Sequence, residues 1–249
     1  MCFAFNIGPL TLHGYGVMVA LGLLATYLLT TWRFRKHGMD EELVTDMLLS
    51  VVICGALTAK ITYCIVEWDS FIKNPMMFFS TSGFVAIGAI IGGFIGVVAY
   101  LKYKKVDVLK YINASLPGVC LGHALGRVGC FLAGCCYGMP YNGPFAVTFP
   151  ANSLAIPNVP LFPVQLLSAV LLVGLCLYLG YRFDHVNQED TIEHYLTLYC
   201  IGRFMVEFLR YDDRGVVFSL STTQFVCLII LGILLVRRII LLTKKKDNQ

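Results

Sequence analysis

The sequence is short of charge. Of its 249 residues, 14% are Asp, Glu, Lys or Arg and 57% are apolar, with a mean hydropathy of +0.74. Soluble domains carry about 25% charged residues, so an ordinary soluble domain is excluded and lipid becomes the expected solvent. No nucleic-acid-binding pattern occurs, and a nucleic-acid partner is not expected. The net charge of +4 comes from short basic clusters at the ends of apolar stretches, which read as topology signals. Lys and Arg are also missing from residues 1–13, and no small-residue cleavage site is clear there. The first apolar stretch is therefore expected to be a retained helix and not a signal peptide. Among the ten cysteines there is no C-x2-C pair of the kind metal sites commonly use. Five of them (Cys54, Cys64, Cys176, Cys200 and Cys227) lie inside apolar stretches, where a thiol behaves as a small hydrophobe.

What the chain has in quantity is long apolar runs. A helix needs about 20 mostly apolar residues to cross the hydrocarbon core, and seven stretches qualify: 14–32, 43–66, 83–101, 108–126, 163–182, 191–209 and 221–242. The fold expected is an all-α integral membrane protein with about seven transmembrane helices. With no linker and no convincing repeat, residues 1–249 read as one transmembrane domain. Loops are short except 127–162, which holds Pro140, Pro144, Pro150, Pro157 and Pro160. Irregular backbone cannot face lipid, so this segment is expected as a compact loop at one membrane face. Thirteen basic residues fall on one side of the spans: Arg33, Arg35, Lys36, Lys102, Lys104, Lys105, Lys110, Arg182, Arg237, Arg238, Lys244, Lys245 and Lys246. The other side has four, Lys73, Arg127, Arg210 and Arg214. Positive charge stays cytoplasmic, which predicts the N-terminus and the long loop outside and the C-terminus in the cytoplasm. Gly88, Gly92 and Gly96, and again Gly118, Gly122 and Gly126, recur every fourth residue. That spacing predicts close helix–helix approach in lipid.

Ionisable side chains inside spans cost about 2.5–3.5 kcal/mol each on insertion scales, so the ones that persist call for a reason. In the sixth span Tyr199, Arg203, Glu207 and Arg210 fall within about 80° of helical arc. Arg203 and Glu207, one turn apart, can pair, but a pair does not account for two arginines and a tyrosine on one face. At the end of the fourth span His123 and Arg127 share a face, and Arg127 is expected to open a glycine-rich turn. A guanidinium beside exposed backbone N–H groups suits a phosphate, and at the outer interface that phosphate would belong to a lipid headgroup. Cys130, Cys135 and Cys136 follow as C-x4-C-C. Metal binding, a disulfide and close packing of small side chains are all open there, with packing the expectation and no metal assigned. Tyr15 at the start of the first span, Gln165 at the start of the fifth and Lys60 inside the second complete the candidate substrate contacts.

Taken in order along most of the chain, these residues resemble the bacterial prolipoprotein diacylglyceryl transferases. HGYGVM is similar to the family's first-helix motif with its tyrosine, here Tyr15. GALTAKITY resembles the second-helix pattern, with Lys60 where an arginine is usual. ALGRVGCFLAGCCYG resembles the signature GRxGNFxNGExxG, placing Arg127 on its arginine, Cys130 on its asparagine and Cys135 on its acid. FPVQL keeps Pro163 and Gln165 of an HPxQLYE-like segment, and YCIGRFMVEFLR matches YxxxRxxxExxR at Tyr199, Arg203, Glu207 and Arg210. The histidine of the SFHGG-like motif falls on Ile87, and the GCCYG form marks a divergent branch.

The resemblance implies an enzyme of the bacterial cytoplasmic membrane with its site facing outward. Its substrates would be phosphatidylglycerol, drawn from the bilayer, and the lipobox cysteine of prolipoprotein signal peptides. The thiol would attack the glycerol carbon of the lipid, forming a thioether and releasing glycerol phosphate. Arg127 and Arg203 would stabilise the leaving phosphate, Glu207 would orient Arg203, and His123 is a candidate for the base that Ile87 cannot be. Tyr15, Lys60, Gln165, Tyr199 and Arg210 would contact substrate. No cofactor is implied, and a monomer is expected. The alternative is a lipid-binding or transport-like relative that kept the fold and the phosphate site after losing the base.

Overall fold

A computed structural model describes residues 4–7, 10–80, 83–212, 216–217 and 220–247. Arg214, one of the four basic residues counted on the outer side, lies outside them. The described chain is an all-α integral membrane protein trimmed with three short hairpins: β1 (Ala4–Ile7) with β2 (Leu10–His13), β3 (Val147–Thr148) with β4 (Pro160–Leu161), and β5 (Val216–Val217) with β6 (Leu220–Ser221). Six described helices are long and apolar enough to cross a membrane: α1 (Gly14–Lys36), α2 (Leu43–Val66), α4 (Ala86–Tyr103), α5 (Val108–Ala133), α6 (Val164–His185) and α8 (Thr222–Asp247). The expected sixth span is also a helix, α7 (Thr191–Glu207), but at 17 residues it is shorter than those six. A six-residue helix, α3 (Trp68–Lys73), and a 3-10 turn at Pro75–Phe79 follow α2.

Two compact units make up the chain, residues 30–112 and residues 1–29 with 113–249. In the first, α2 and α4 pack along a seam of small residues. A Cβ on Gly96 would stand 2.8 Å from the Cys54 sulfur and 3.0 Å from the Ser50 carbonyl oxygen, and one on Gly88 or Gly92 would overlap Thr62 or Thr58. The first glycine triplet thus serves the close approach its spacing predicts. Thr58 bridges the seam, donating to the Gly88 carbonyl at 2.8 Å. Beyond the seam, Phe34, fully buried, meets Tyr111 edge to face at 5.1 Å.

In the second unit α5, α6 and α7 surround the candidate site, and α8 packs against α7. The second glycine triplet serves close approach only in part. Gly122 lies against Gly22, whereas a Cβ on Gly126 would meet open space. Buried Asn113 ties the α6–α7 connection to α5: its amide donates to the Gln188 and Glu189 carbonyls, and its carbonyl accepts from the Ile192 N–H, each at 2.9 Å.

One expectation is corrected here. Residues 127–133 are the last two turns of α5 and not the opening of a loop, because no proline falls between Pro117 and Pro140 and glycine inside a packed helix is tolerated. The helix stops at Gly134, whose φ of +72° is the left-handed cap that glycine accepts without strain. The Gly134 N–H then bonds the Phe131 carbonyl and the Cys135 N–H the Cys130 carbonyl, closing a Schellman motif. The irregular segment therefore begins at Gly134. It is held on a small core of Phe149, Ala155 and Leu161 with Phe131 and Tyr137. It also pairs with the chain after α7, where Met139 N–H bonds the Leu209 carbonyl and Tyr211 N–H the Tyr137 carbonyl.

Candidate functional site

A cavity of about 520 Å³ lies between α5, α6 and α7. His123 and Arg127 of α5 and Tyr199 and Arg203 of α7 line its polar end, so two guanidinium groups from distant stretches of sequence share one space. Along α6 the lining runs from Ser168 to Tyr178, about 15 Å of helix. Leu171, Leu172, Leu175, Leu198 and Val206 make the walls apolar. Leu171 and Val170 are also exposed on the outside of the helix bundle, which leaves this side of the cavity facing lipid. The shape is that of an amphiphile: a cationic end for an anion, continued by a hydrocarbon trough.

The polar end is held by short-range pairs. Arg203 and Glu207, both buried, approach to 2.7 Å as an ion pair without an aligned hydrogen bond. The same Glu207 oxygen is 4.0 Å from Arg210. Arg210 lies past the end of α7 and not on its helical face, because the helix closes at Glu207 and Arg210 bridges to Gly138 as a strand would. There it grips Asp212 through two hydrogen bonds, 2.9 and 2.8 Å. Arg127 differs: it has no carboxylate partner among the described residues, and its Nε donates to His123 Nε2 at 3.3 Å. That bond occupies the Nε2 lone pair and puts the proton of a neutral His123 on Nδ1. The His123 and Tyr199 rings adjoin at 5.7 Å, with Tyr195 stacked on Tyr199.

Of the nine expected residues, four line the cavity and two, Glu207 and Arg210, join it through the ion-pair chain. Two more sit by the cysteine turn. Gln165, 2% exposed, donates to the Cys135 carbonyl at 2.9 Å. Tyr15 packs beside Gly129 and is within electrostatic reach of Arg127 and of the thiols of Cys130, Cys135 and Cys136. Lys60 belongs to the other unit, where its ammonium donates to the Ser80 carbonyl and hydroxyl and lies over Tyr63 and Phe84. Ile87 is in that unit too, exposed at the start of α4. Sequence reasoning missed Ser168, Tyr178 and Gly202 of the lining and the Asp212 clamp on Arg210. Only Asp212 left a signal, as an acid two residues from an arginine.

The three clustered cysteines are free thiols, with their sulfurs all within 4.8 Å of one another. In the turn after α5, the neighbouring thiols of Cys130 and Cys135, with Arg210 alongside, hold the Cys136 thiol below the usual thiol range. Its neighbour Cys135 is pushed up by interaction with the thiols of Cys130 and Cys136 and by burial.

The sequence profile described as prolipoprotein diacylglyceryl transferase matches residues 2–240. The chain belongs to that family. Among its relatives, a phosphatidylglycerol–prolipoprotein diacylglyceryl transferase 2 of Clostridium perfringens is 40% identical over 236 residues, 92% of each chain. A phosphatidylglycerol–prolipoprotein diacylglyceryl transferase of Clostridium tetani is 41% identical over 233 residues, 92% of this chain and 94% of that one. One of Dehalococcoides mccartyi is 30% identical over 249 residues, 99% and 95% of the two. In this chain Arg127 and Arg203, from the two arginine-bearing motifs that carried the resemblance, fall on the walls of one cavity.

Proposed function

We propose that this protein transfers the diacylglyceryl group of phosphatidylglycerol to the lipobox cysteine of prolipoproteins, forming a thioether and releasing glycerol phosphate. The observation that carries the reading is the cavity shared by Arg127 and Arg203 and continued by an apolar wall along α6. A phosphate leaving group gathers negative charge as the C–O bond breaks, and preorganised guanidinium groups in a water-poor cavity stabilise it at no cost of reorganisation. Arg127, with no carboxylate partner among the described residues, takes the phosphate directly. Arg203 shares the charge while Glu207, buttressed by Arg210, fixes its direction. Tyr199 and Tyr15 hydrogen-bond the headgroup.

His123 positions Arg127 and does not take the substrate proton, since its Nε2 already accepts from the guanidinium. Gln165 pins the cysteine turn through the Cys135 carbonyl, and Lys60 secures Ser80 in its own unit. The family relationship at 40% identity over 92% of the chain favours the enzyme over a lipid-binding relative. We place α7 as the seventh span, the N-terminus and the site outside, and the C-terminus in the cytoplasm, in a protein acting as a monomer in the bacterial cytoplasmic membrane.

Complementation tests the reading. Expression in cells depleted of their own transferase is expected to restore lipoprotein lipidation, and Arg127→Ala or Arg203→Ala to abolish the rescue. A chain that inserts correctly and rescues nothing would overturn the assignment.

A further inference from the structure

The proposed reaction leaves one requirement unmet. A cysteine thiol ionises near pH 8.5, the family histidine position is Ile87, and His123 is engaged by Arg127. Beside this site the chain holds three thiols that the mechanism does not use. Cys130 comes from the last turn of α5, and Cys135 and Cys136 from the turn after it. Their sulfurs lie within 4.8 Å of one another. Three sulfurs bound to one zinc ion at about 2.3 Å stand about 3.8 Å apart, so side-chain adjustments of about 1 Å would bring them onto a common ion.

The turn is rigid enough to present them. Gly134 caps the helix, Cys136 itself has a φ of +59°, and the Cys135 carbonyl is pinned by buried Gln165. The surroundings suit the charge. Three thiolates on a divalent cation make a complex of net charge −1, and Arg210, which contacts Cys136, and Arg127, which interacts with Cys130, lie beside it. Three protein ligands leave the fourth tetrahedral position open, the arrangement of catalytic and not of structural zinc.

We propose that Cys130, Cys135 and Cys136 form a zinc site whose open position binds the substrate's cysteine sulfur as a thiolate, replacing the missing base. The proposal rests on the transferase reading above. In the step, the thiol gives its proton to water on binding the ion, and its sulfur electron pair attacks the glycerol carbon. The C–O bond to phosphate breaks, and glycerol phosphate leaves with the bonding pair. Nothing is oxidised or reduced. At pH 7 a thiol of pKa 8.5 is about 3% ionised, so full ionisation on the metal raises the reactive fraction about 30-fold.

The full chain, purified in detergent with its thiols reduced, is loaded with zinc and desalted, and its metal content is measured. About one zinc per chain is expected, with none in C130S/C135S/C136S and no change in C227A. Loading cobalt instead gives the thiolate-to-cobalt absorption, expected to intensify when a peptide bearing a lipobox cysteine is added and not with its serine counterpart. Stripping the metal is expected to lower transfer about 30-fold at pH 7 and to have little effect above pH 9, where the thiol ionises unaided.

Reduced protein that binds neither ion overturns the site. A cobalt spectrum that ignores the cysteine peptide, or transfer that ignores metal removal, overturns its role. A chain that binds one zinc and answers the peptide yet transfers nothing upholds the site and sinks the transferase reading instead.

Discussion

The α2–α4 seam and the α5–α7 cavity solve the same problem, polar atoms in lipid, in opposite ways. Where the glycines of the seam make contact the polar groups are small and neutral, and the one carboxylate seen between the two helices, Asp46 accepting from Tyr100, is at their exposed end. Thr58 and Thr62 return their hydroxyls to backbone carbonyls, and glycines let the helices close until no space is left. At the cavity charges are kept, paired where they are buried, and space is left between them. Insertion cost forbids the second arrangement unless something is gained from it. A membrane protein that only needed to fold would use the seam throughout. On the proposed function the cavity is the working part, and the difference makes separable predictions for the two regions.

The largest effect is expected where fold and function coincide. Arg203→Ala should lower transfer by about 10²–10³-fold, the usual cost of removing one donor to a developing anion. It should also cost about 3–5 kcal/mol of stability by leaving Glu207 buried without its partner. Arg203→Met with Glu207→Met should recover most of the stability and none of the transfer. Thermal unfolding in detergent and lipidation of a reporter prolipoprotein read the two losses separately. Recovery of transfer in the double variant would mean the pair is scaffolding and the comparison is mistaken.

Arg127→Ala comes next and should split the two readouts. With no carboxylate partner among the described residues to strand, it should lose about 10²–10³-fold in transfer while the unfolding temperature barely moves. Arg127→Lys should recover little, since an ammonium lacks the planar fork that matches phosphate.

Much of this was legible in the sequence for a physical reason. Lipid imposes a strong rule on composition, so helix positions follow from apolar run length, and the α2 bounds 43–66 agree with the run that predicted them. The charged site residues stood out because each violates that rule. What stayed hidden depends on backbone detail. The extension of α5 through Ala133 turns on glycine being tolerated inside a packed helix. Arg210 was placed on a helical face by its spacing, and lies instead on an extended segment pairing with Gly138. Asn113 gave no signal because its partners are carbonyls about 75 residues away, at Gln188 and Glu189. The convergence of the Cys130, Cys135 and Cys136 sulfurs to within 4.8 Å was hidden as well, because helix end and turn fold back in a way that C-x4-C-C does not announce.

At the seam the readouts should split the other way. Gly92→Val places methyl groups where Thr58 already stands. Overpacking of this kind costs about 1–3 kcal/mol, so the unfolding temperature should fall clearly while transfer per folded molecule holds. A Gly92 variant that keeps its stability but loses transfer would show that the seam governs the chemistry, and the division of labour would fail.

The smallest effect belongs to Thr58→Val. The hydroxyl donates to the Gly88 carbonyl across the seam and lies 2.6 Å from the Cys54 carbonyl within its own helix. Valine keeps the branched shape against Gly92 and replaces the hydroxyl with a methyl group. The Cys54 and Gly88 carbonyls belong to helices, where the ladder already supplies a donor, so neither is stranded by the change. Interhelical hydrogen bonds in membranes average about 0.6 kcal/mol, and that is the expected loss, with transfer unchanged. Measured beside Gly92→Val in the same detergent, the pair ranks shape against hydrogen bonding at one contact. A Thr58→Val loss as large as the glycine's would mean the seam is held by polar bonds after all, and that the two regions differ in charge but not in kind.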